Sequence, residues 1–140
     1  MRLRRSELST PASNEHMLEK AAASSADLVL LDLEDSVAPN EKEEARQKAC
    51  RALRTLDWGK KTRAVRINDL ETAYAYQDII TVVEGVGDYL DILIVPKVKT
   101  AREVWWVETL LTQIEKHLHL TRRIGLEVMI EEVEALLNVE

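Results

Sequence analysis

Five short apolar runs recur along the chain at intervals of roughly 30 residues, which is the length of one βα unit. They predict strands near residues 6–10, 27–33, 62–67, 91–95 and 124–130. The longer stretches between them have apolar positions at helical spacing, and they predict helices over residues 15–24, 41–56, 72–83, 100–117 and 132–139. Continuous apolar strands that alternate with helices indicate an α/β fold with a parallel sheet covered by helices.

Two of the predicted helices begin with recognisable capping residues. Thr100 and Glu103 have the spacing of a capping box at the start of the fourth helix. Asn40 is a natural N-cap for the second helix, and Glu43 follows three residues later. Both signals place helix starts directly after loops that follow predicted strands.

Polar residues end several of the predicted strands. Asp32 and Glu34 lie on one face of an otherwise apolar strand, and Asp35 follows them. Arg66 and Glu131 end the third and fifth strands in the same way. Because α/β folds place their chemistry at the carboxyl ends of strands, we expect these side chains to meet there. The alternative is that the second strand simply gives way to a polar loop in which Asp35 begins a turn.

Composition and charge narrow the class of protein. The 140 residues, 46% of them hydrophobic, predict one globular domain, and the net charge of −6 argues against general nucleic-acid binding. No apolar span is long enough for a membrane helix, and the basic start of the chain lacks the apolar core of a secretory signal. Cys50 is the one cysteine, so no disulfide framework is expected. These features predict a cytoplasmic protein.

Periodicity alone leaves two α/β architectures open. A closed (β/α)8 barrel needs about 250 residues, so a five-stranded doubly wound sheet fits 140 residues better. The doubly wound folds that bind dinucleotides carry a glycine-rich turn after the first strand. This chain has Pro11-Ala-Ser-Asn14 there and only four glycines in all, so a dinucleotide site is not predicted.

Four sequence blocks carry a family resemblance. They are SELSTPASNEHMLEKAAASSADLVLLDLEDSVAP, KTRAVRIN, DILIVPKV and IGLEVMIE. In this order and spacing they resemble the citrate lyase β-subunit/malyl-CoA lyase family, the HpcH/HpaI aldolases, and within it the malyl-CoA and β-methylmalyl-CoA lyase branch. The resemblance implies a (β/α)8 TIM barrel of roughly twice this length. Residues 1–140 then correspond to about the first five βα units of a single, truncated domain, and this expectation replaces the smaller sheet.

The resemblance also implies a reaction. Members of the family cleave a 3-hydroxyacyl-CoA with the help of Mg²⁺, with Mn²⁺ as an alternative, and malyl-CoA gives acetyl-CoA and glyoxylate. A homo-oligomer, a trimer or a hexamer, is implied as well. Three alternatives stay open: a malyl-CoA thioesterase, a citryl-CoA lyase-type subunit, and a truncated chain without catalytic activity.

Site roles follow from the resemblance residue by residue. Glu131 matches the glutamate that binds the metal, and the family's second ligand, an aspartate on the next strand, falls beyond Glu140. Arg66 matches the arginine that holds the thioester oxygen, and Glu34 and Asp35 match acids near the metal. Without the family, Glu131 could be an acid that favours a helix start, and Arg66 could pair with Glu34 or Asp35.

Two further residues match positions that contact CoA. Lys20 matches a basic residue associated with the CoA phosphates, although a lysine is also ordinary on a solvated helix face. Asn14 stands where relatives have an arginine for CoA, and it offers hydrogen bonds without a charge.

Overall fold

The chain is an α/β unit in which five strands alternate with five helices. The computed structural model describes residues 4–139; residues 1–3, which belong to the basic start of the chain, and Glu140 lie outside the described residues. The strands are β1 Glu7–Pro11, β2 Leu28–Asp32, β3 Thr62–Arg66, β4 Ile92–Val95 and β5 Gly125–Val128. The helices are α1 Glu15–Ala23, α2 Lys42–Thr55, α3 Ala75–Val86, α4 Ala101–His117 and α5 Val133–Leu137. None of these helices is long and apolar enough to cross a membrane.

The strand order identifies the architecture. All four neighbouring pairs are parallel, and the sheet runs β1-β2-β3-β4-β5 in chain order. A doubly wound sheet reverses its strand order at a switch point, whereas a (β/α)8 barrel adds each strand beside the preceding one. The five units are therefore the first part of a (β/α)8 barrel. The doubly wound sheet that periodicity alone favoured is wrong.

The two faces of the sheet are both apolar. One face packs on the helices and carries Val29, Leu31, Val65, Leu93 and Val95. The other face is the inside of the incomplete barrel and forms a second, smaller cluster, composed of Leu28, Leu30, Ala64, Ile92 and Ile94 with Met129 packed against it. Burial of each leucine or isoleucine contributes about 1.5–3 kcal/mol, so both clusters hold the strands in register.

The inner face changes from apolar to charged at its carboxyl end. Leu30 lies opposite Ala64, and two residues later Asp32 lies opposite Arg66. Because alternate residues of a strand share a face, Asp32 and Arg66 point into the barrel above the apolar cluster. The register of β2 and β3 thus places an acid and a base side by side at the edge where the loops begin.

The ends of some elements differ from the sequence prediction. Asn40 is not an N-cap, because Pro39–Glu41 form a 3-10 turn and α2 begins at Lys42 without a side-chain cap. The start of α3 moves from residue 72 to Ala75, because Thr72 bonds back to the Asp69 carbonyl in a turn. The capping box of Thr100 and Glu103 is confirmed.

Candidate functional site

Asp32 is the most strongly bonded acid at the carboxyl edge of the sheet. It is fully buried and accepts hydrogen bonds from Arg66 Nε and Nη2, both at 2.8 Å. The Glu34 N–H at 2.8 Å and the Ser36 hydroxyl at 2.6 Å add two more. Burial raises the pKa of Asp32, but the bonds from Arg66, Ser36 and the Glu34 backbone outweigh it and lower the pKa to about 2. Asp32 is therefore a fixed negative charge.

Arg66 is fixed by this pairing in a single orientation. The two-pronged bond to Asp32 uses Nε and Nη2, and Nε also stands 3.4 Å from Glu34 Oε2. The sequence interpretation that pairs Arg66 with Glu34 or Asp35 missed the main partner, which is Asp32. The third guanidinium nitrogen, Nη1, contacts Met129 Sδ at 3.9 Å. Since a thioether is a weak acceptor, Nη1 can donate to a stronger one inside the barrel.

Glu34 is a buried acid whose hydrogen bonding is incomplete. Its side chain is 5% exposed, and among the described residues neither carboxylate oxygen has an aligned hydrogen-bond donor. The Lys97 ammonium stands 2.7 Å from Oε1 and forms an ion pair with it. Burial raises the pKa of Glu34, and the nearby Lys97 and Arg66 charges offset part of that rise.

Lys97 connects the loops that follow three strands. It lies two residues after β4, and its Nζ is 3.2 Å from Asp35 Oδ1 as well as close to Glu34. Its backbone N–H donates to Glu131 Oε1 at 2.9 Å. The φ angle of Lys97 is +51°, the left-handed region that a side chain with a Cβ rarely adopts. Lys97 thus contacts three of the four residues that the sequence singled out, Glu34, Asp35 and Glu131, and the fourth, Arg66, is near Glu34.

A second lysine holds the acidic loop from the helix side. The buried Lys42 Nζ donates to the Leu33 carbonyl at 2.7 Å and to the Glu34 carbonyl at 2.5 Å. The ring of Tyr74 lies 5.9 Å from the same ammonium. Burial lowers the pKa of Lys42, and the neighbouring carboxylates oppose that effect. These bonds fix the backbone of Glu34, whose side chain points to Lys97.

The loop after β3 is anchored by a buried aspartate. Asp78 on α3 accepts from the Asn68 N–H at 2.8 Å and from Asn68 Nδ2 at 2.6 Å. Arg46 on α2 donates to the other oxygen of Asp78 at 2.6 Å. Because a buried charge without a partner is costly, the three residues form one unit. This unit fixes the chain just beyond Arg66.

The two residues matched to CoA contacts lie at the start and in the last turn of α1. Asn14 follows β1 and caps α1, with Oδ1 accepting from the Met17 N–H at 3.1 Å. Its Nδ2 takes no part in that cap. Lys20 is exposed in the last turn of α1. A CoA role for either residue stays a prediction.

Glu131 is the residue that the family resemblance matches to a metal ligand, and that role stays a prediction. It is exposed after β5, and its Oε1 accepts from Lys97. Within residues 4–139 no group of three His, Cys, Asp or Glu side chains is arranged to hold a metal ion. Mg²⁺ is usually held by one or two carboxylates together with water and substrate oxygens, so a single carboxylate at this edge fits part of such a site.

Comparison with known proteins identifies relatives of the whole chain. The family model for HpcH/HpaI aldolase/citrate lyase matches residues 5–140. An L-malyl-CoA/beta-methylmalyl-CoA lyase of Cereibacter sphaeroides is 46% identical over 97% of this chain, which is 43% of that protein. A (3S)-malyl-CoA thioesterase of the same species is 37% identical over 79% of this chain and 38% of that protein. The chain therefore spans less than half the length of these two relatives.

A solved structure agrees with the fold. The crystal structure of protein CitE from Mycobacterium tuberculosis in complex with magnesium and acetoacetate superposes with a TM-score of 0.69. The identity is 29%, and the match covers 99% of this chain and 50% of that one.

Proposed function

The chain belongs to the HpcH/HpaI aldolase/citrate lyase family, and we propose that it forms the amino-terminal part of a magnesium-dependent carbon–carbon lyase. The proposed substrate is a 3-hydroxyacyl-CoA such as malyl-CoA. Breaking the bond between C2 and C3 leaves glyoxylate, whose carbonyl forms as the hydroxyl proton departs. The electron pair passes to the thioester as an enolate, which takes up a proton to give acetyl-CoA.

The orientation of Arg66 carries this proposal. A lyase of this kind must stabilise negative charge on the thioester oxygen as the enolate forms. Asp32 holds Arg66 by Nε and Nη2 and leaves Nη1 beside Met129 on the inner face. A donor fixed in this way needs no reorganisation when charge develops. The role proposed for Arg66 is therefore a hydrogen bond from Nη1 to the enolate oxygen.

The other site residues take the roles that the family match gives them. Glu131 is proposed as the Mg²⁺ ligand, and Mn²⁺ is an alternative ion; when bound, the ion supplies a Lewis acid that polarises the glyoxylate carbonyl. Glu34 and Asp35 are proposed to orient water beside it. Lys20 and Asn14 are proposed to contact CoA, Lys20 through the phosphates. We also propose that the protein is cytoplasmic and homo-oligomeric.

The proposal is tested by supplying the rest of the barrel. Residues 1–140 replace the matching amino-terminal part of the Cereibacter sphaeroides lyase, and the chimera is assayed with malyl-CoA and Mg²⁺. We expect acetyl-CoA and glyoxylate in equal amounts, and little or no turnover by the 140-residue chain alone, because residues 4–139 contain no group of three side chains arranged to hold the ion. A folded chimera that cleaves neither malyl-CoA nor β-methylmalyl-CoA would refute the lyase proposal.

The relative named as a thioesterase favours one alternative. A thioesterase hydrolyses the C–S bond and releases malate and free CoA, whereas a lyase leaves the thioester intact. Titration of free thiol during the same assay separates the two reactions. Thiol release without glyoxylate would assign the chain to the thioesterase branch.

A further inference from the structure

We infer that Lys97 is the positioning residue of this site, with its backbone N–H setting Glu131 and its ammonium balancing the buried charge of Glu34. The inference rests on the proposed function and deepens it. Lys97 is the described residue that contacts both the acidic loop after β2 and the acid after β5. It touches neither Asp32 nor Arg66, so its role is separate from theirs.

The backbone of Lys97 is in a conformation that the chain does not adopt without cause. For a residue with a Cβ, the left-handed region is about 1–2 kcal/mol higher in free energy, and glycine or asparagine is usual there. Lys97 has a φ angle of +51° directly after Pro96. Such a backbone conformation is kept only where the surrounding contacts hold it firmly, and positions of this kind cluster at functional sites. Here the conformation accompanies a 2.9 Å bond from the Lys97 N–H to Glu131 Oε1.

The side chain of Lys97 supplies the main positive charge beside Glu34, because Arg66 is bonded to Asp32. Glu34 is 5% exposed, and its oxygens lack an aligned donor among residues 4–139. Arg66 stands 3.4 Å from Glu34 but gives both of its shorter bonds to Asp32. The Lys97 ammonium, at 2.7 Å, is therefore the main compensating charge. Removal of that charge leaves a buried carboxylate with an incomplete partner set, which is a costly arrangement.

The ammonium is tested in the protein at its full natural length. Lys97→Met keeps the stem and the N–H but removes the charge, and Lys97→Arg restores the charge. Lys99→Met is the matched control, because Lys99 lies in the same loop and pairs at 2.7 Å with the exposed Glu71. We expect Lys97→Met to lower kcat about 100-fold with KM within about threefold, since a misplacement of about 1 Å in an active site can cost about 100-fold in rate.

Lys97→Arg and the control variant Lys99→Met test whether the effect belongs to the Lys97 ammonium. Lys97→Arg should recover about tenfold of the lost kcat, because a positive charge near Glu34 returns. Lys99→Met should stay within about twofold of the parent protein, since exposed pairs contribute little. A kcat within threefold for Lys97→Met, or an equal loss for Lys99→Met, would overturn the role of the ammonium.

The backbone role is tested without any turnover. Lys97→Gly and Lys97→Val both lack the ammonium, but glycine accepts a positive φ and a β-branched residue does not. We expect the Mg²⁺ dissociation constant of Lys97→Gly, measured by titration calorimetry without substrate, to be at least tenfold lower than that of Lys97→Val. The unfolding equilibrium in urea should favour the native state about fivefold more for glycine than for valine.

These two measurements separate the inference from the proposed function. If the parent protein cleaves no 3-hydroxyacyl-CoA, the proposed function fails. The unfolding comparison of the glycine and valine variants still tests the role of the Lys97 backbone. Equal stability and equal Mg²⁺ affinity of the glycine and valine variants would overturn the inference whatever the reaction is.

Discussion

Replacement of Asp32 by asparagine removes the charge on which the orientation of Arg66 depends. Asparagine has nearly the same shape, and its Oδ1 can still accept one bond from Arg66 Nε. Its Nδ2 is a donor, so it faces Arg66 Nη2 and the Ser36 hydroxyl, which both donate to Asp32 at present. Arg66 Nη2 and the Ser36 N–H therefore lose their acceptor and face a donor, while the Ser36 hydroxyl can turn to accept from Nδ2.

The size of the effect follows from burial and from the pKa of Asp32. Loss of one partner from a buried ion pair costs about 3–5 kcal/mol, and we expect about 3 kcal/mol because Arg66 stays 3.4 Å from Glu34. The folded pKa of about 2 against 3.8 unfolded corresponds to about 2.4 kcal/mol at pH 7. Because the pKa of Asp32 is lower in the folded state, its carboxylate contributes this full stability above the unfolded pKa. The contribution is lost as the pH falls through the folded pKa. About 1.3 kcal/mol of this contribution therefore remains at pH 3.

Urea unfolding followed by tryptophan fluorescence, to which the buried Trp58 contributes, measures this prediction at pH 7, 5 and 3. Asp32→Asn should be less stable than the parent chain by about 3 kcal/mol at pH 7, and the deficit should shrink by about 1 kcal/mol at pH 3. Asp88→Asn changes an exposed aspartate and should stay within about 0.5 kcal/mol at each pH. A deficit below about 1 kcal/mol at pH 7, or one that does not change with pH, would show that Asp32 is not the fixed charge described here.

Three further predictions concern single side chains. In the chimera, Glu131→Gln should abolish Mg²⁺-dependent cleavage, since an amide is a weaker ligand for a hard cation. Activity that returns at high Mg²⁺ concentration would indicate that a metal ligand was lost, and full activity would exclude Glu131 as a metal ligand. Arg66→Lys should lower kcat/KM about 100-fold, because lysine cannot bond Asp32 with two prongs and also present a third nitrogen; an unchanged rate would contradict the role of Nη1. Asp78→Asn should lower the free energy of unfolding, measured in urea, by about 3 kcal/mol, because Arg46 loses its buried partner. A change no larger than that of a surface substitution to alanine would contradict this.

Sequence reasoning located the elements well and their arrangement poorly. The spacing of the apolar runs predicted all five strands and five helices, with shifts of a few residues at the ends. It did not distinguish a doubly wound sheet from part of a barrel, because both faces of β2 are apolar. Val29 and Leu31 face the helices while Leu28 and Leu30 face the barrel interior, and no alternation marks the difference. Only the family resemblance supplied the strand order.

The candidate site was predicted as a region, and its internal pairing was not. The sequence predicts that Glu34, Asp35, Arg66 and Glu131 meet at the strand ends; in the structure Lys97 contacts the three acids, and Arg66 stands 3.4 Å from Glu34. Lys97 carried the same signal as the others, a polar residue just after a strand. Its partners lie far away in sequence, 62 residues away for Asp35, so its contacts are not predicted from neighbouring residues. Contacts of this kind depend on how the loops fold over the sheet edge, which local sequence does not determine.

The pairing of Asp32 with Arg66 is not predicted for a different reason, which is that it depends on strand register. Once β2 and β3 are known to be neighbours with Leu30 opposite Ala64, Asp32 must lie opposite Arg66 on the inner face. A slip of one residue would turn Arg66 toward the helices, and Asp32 would then be a buried charge without a partner. The ion pair therefore selects the same register as the apolar cluster below it. Because the pair takes up the charge of Asp32, Glu34 is left as the buried acid that depends on Lys97.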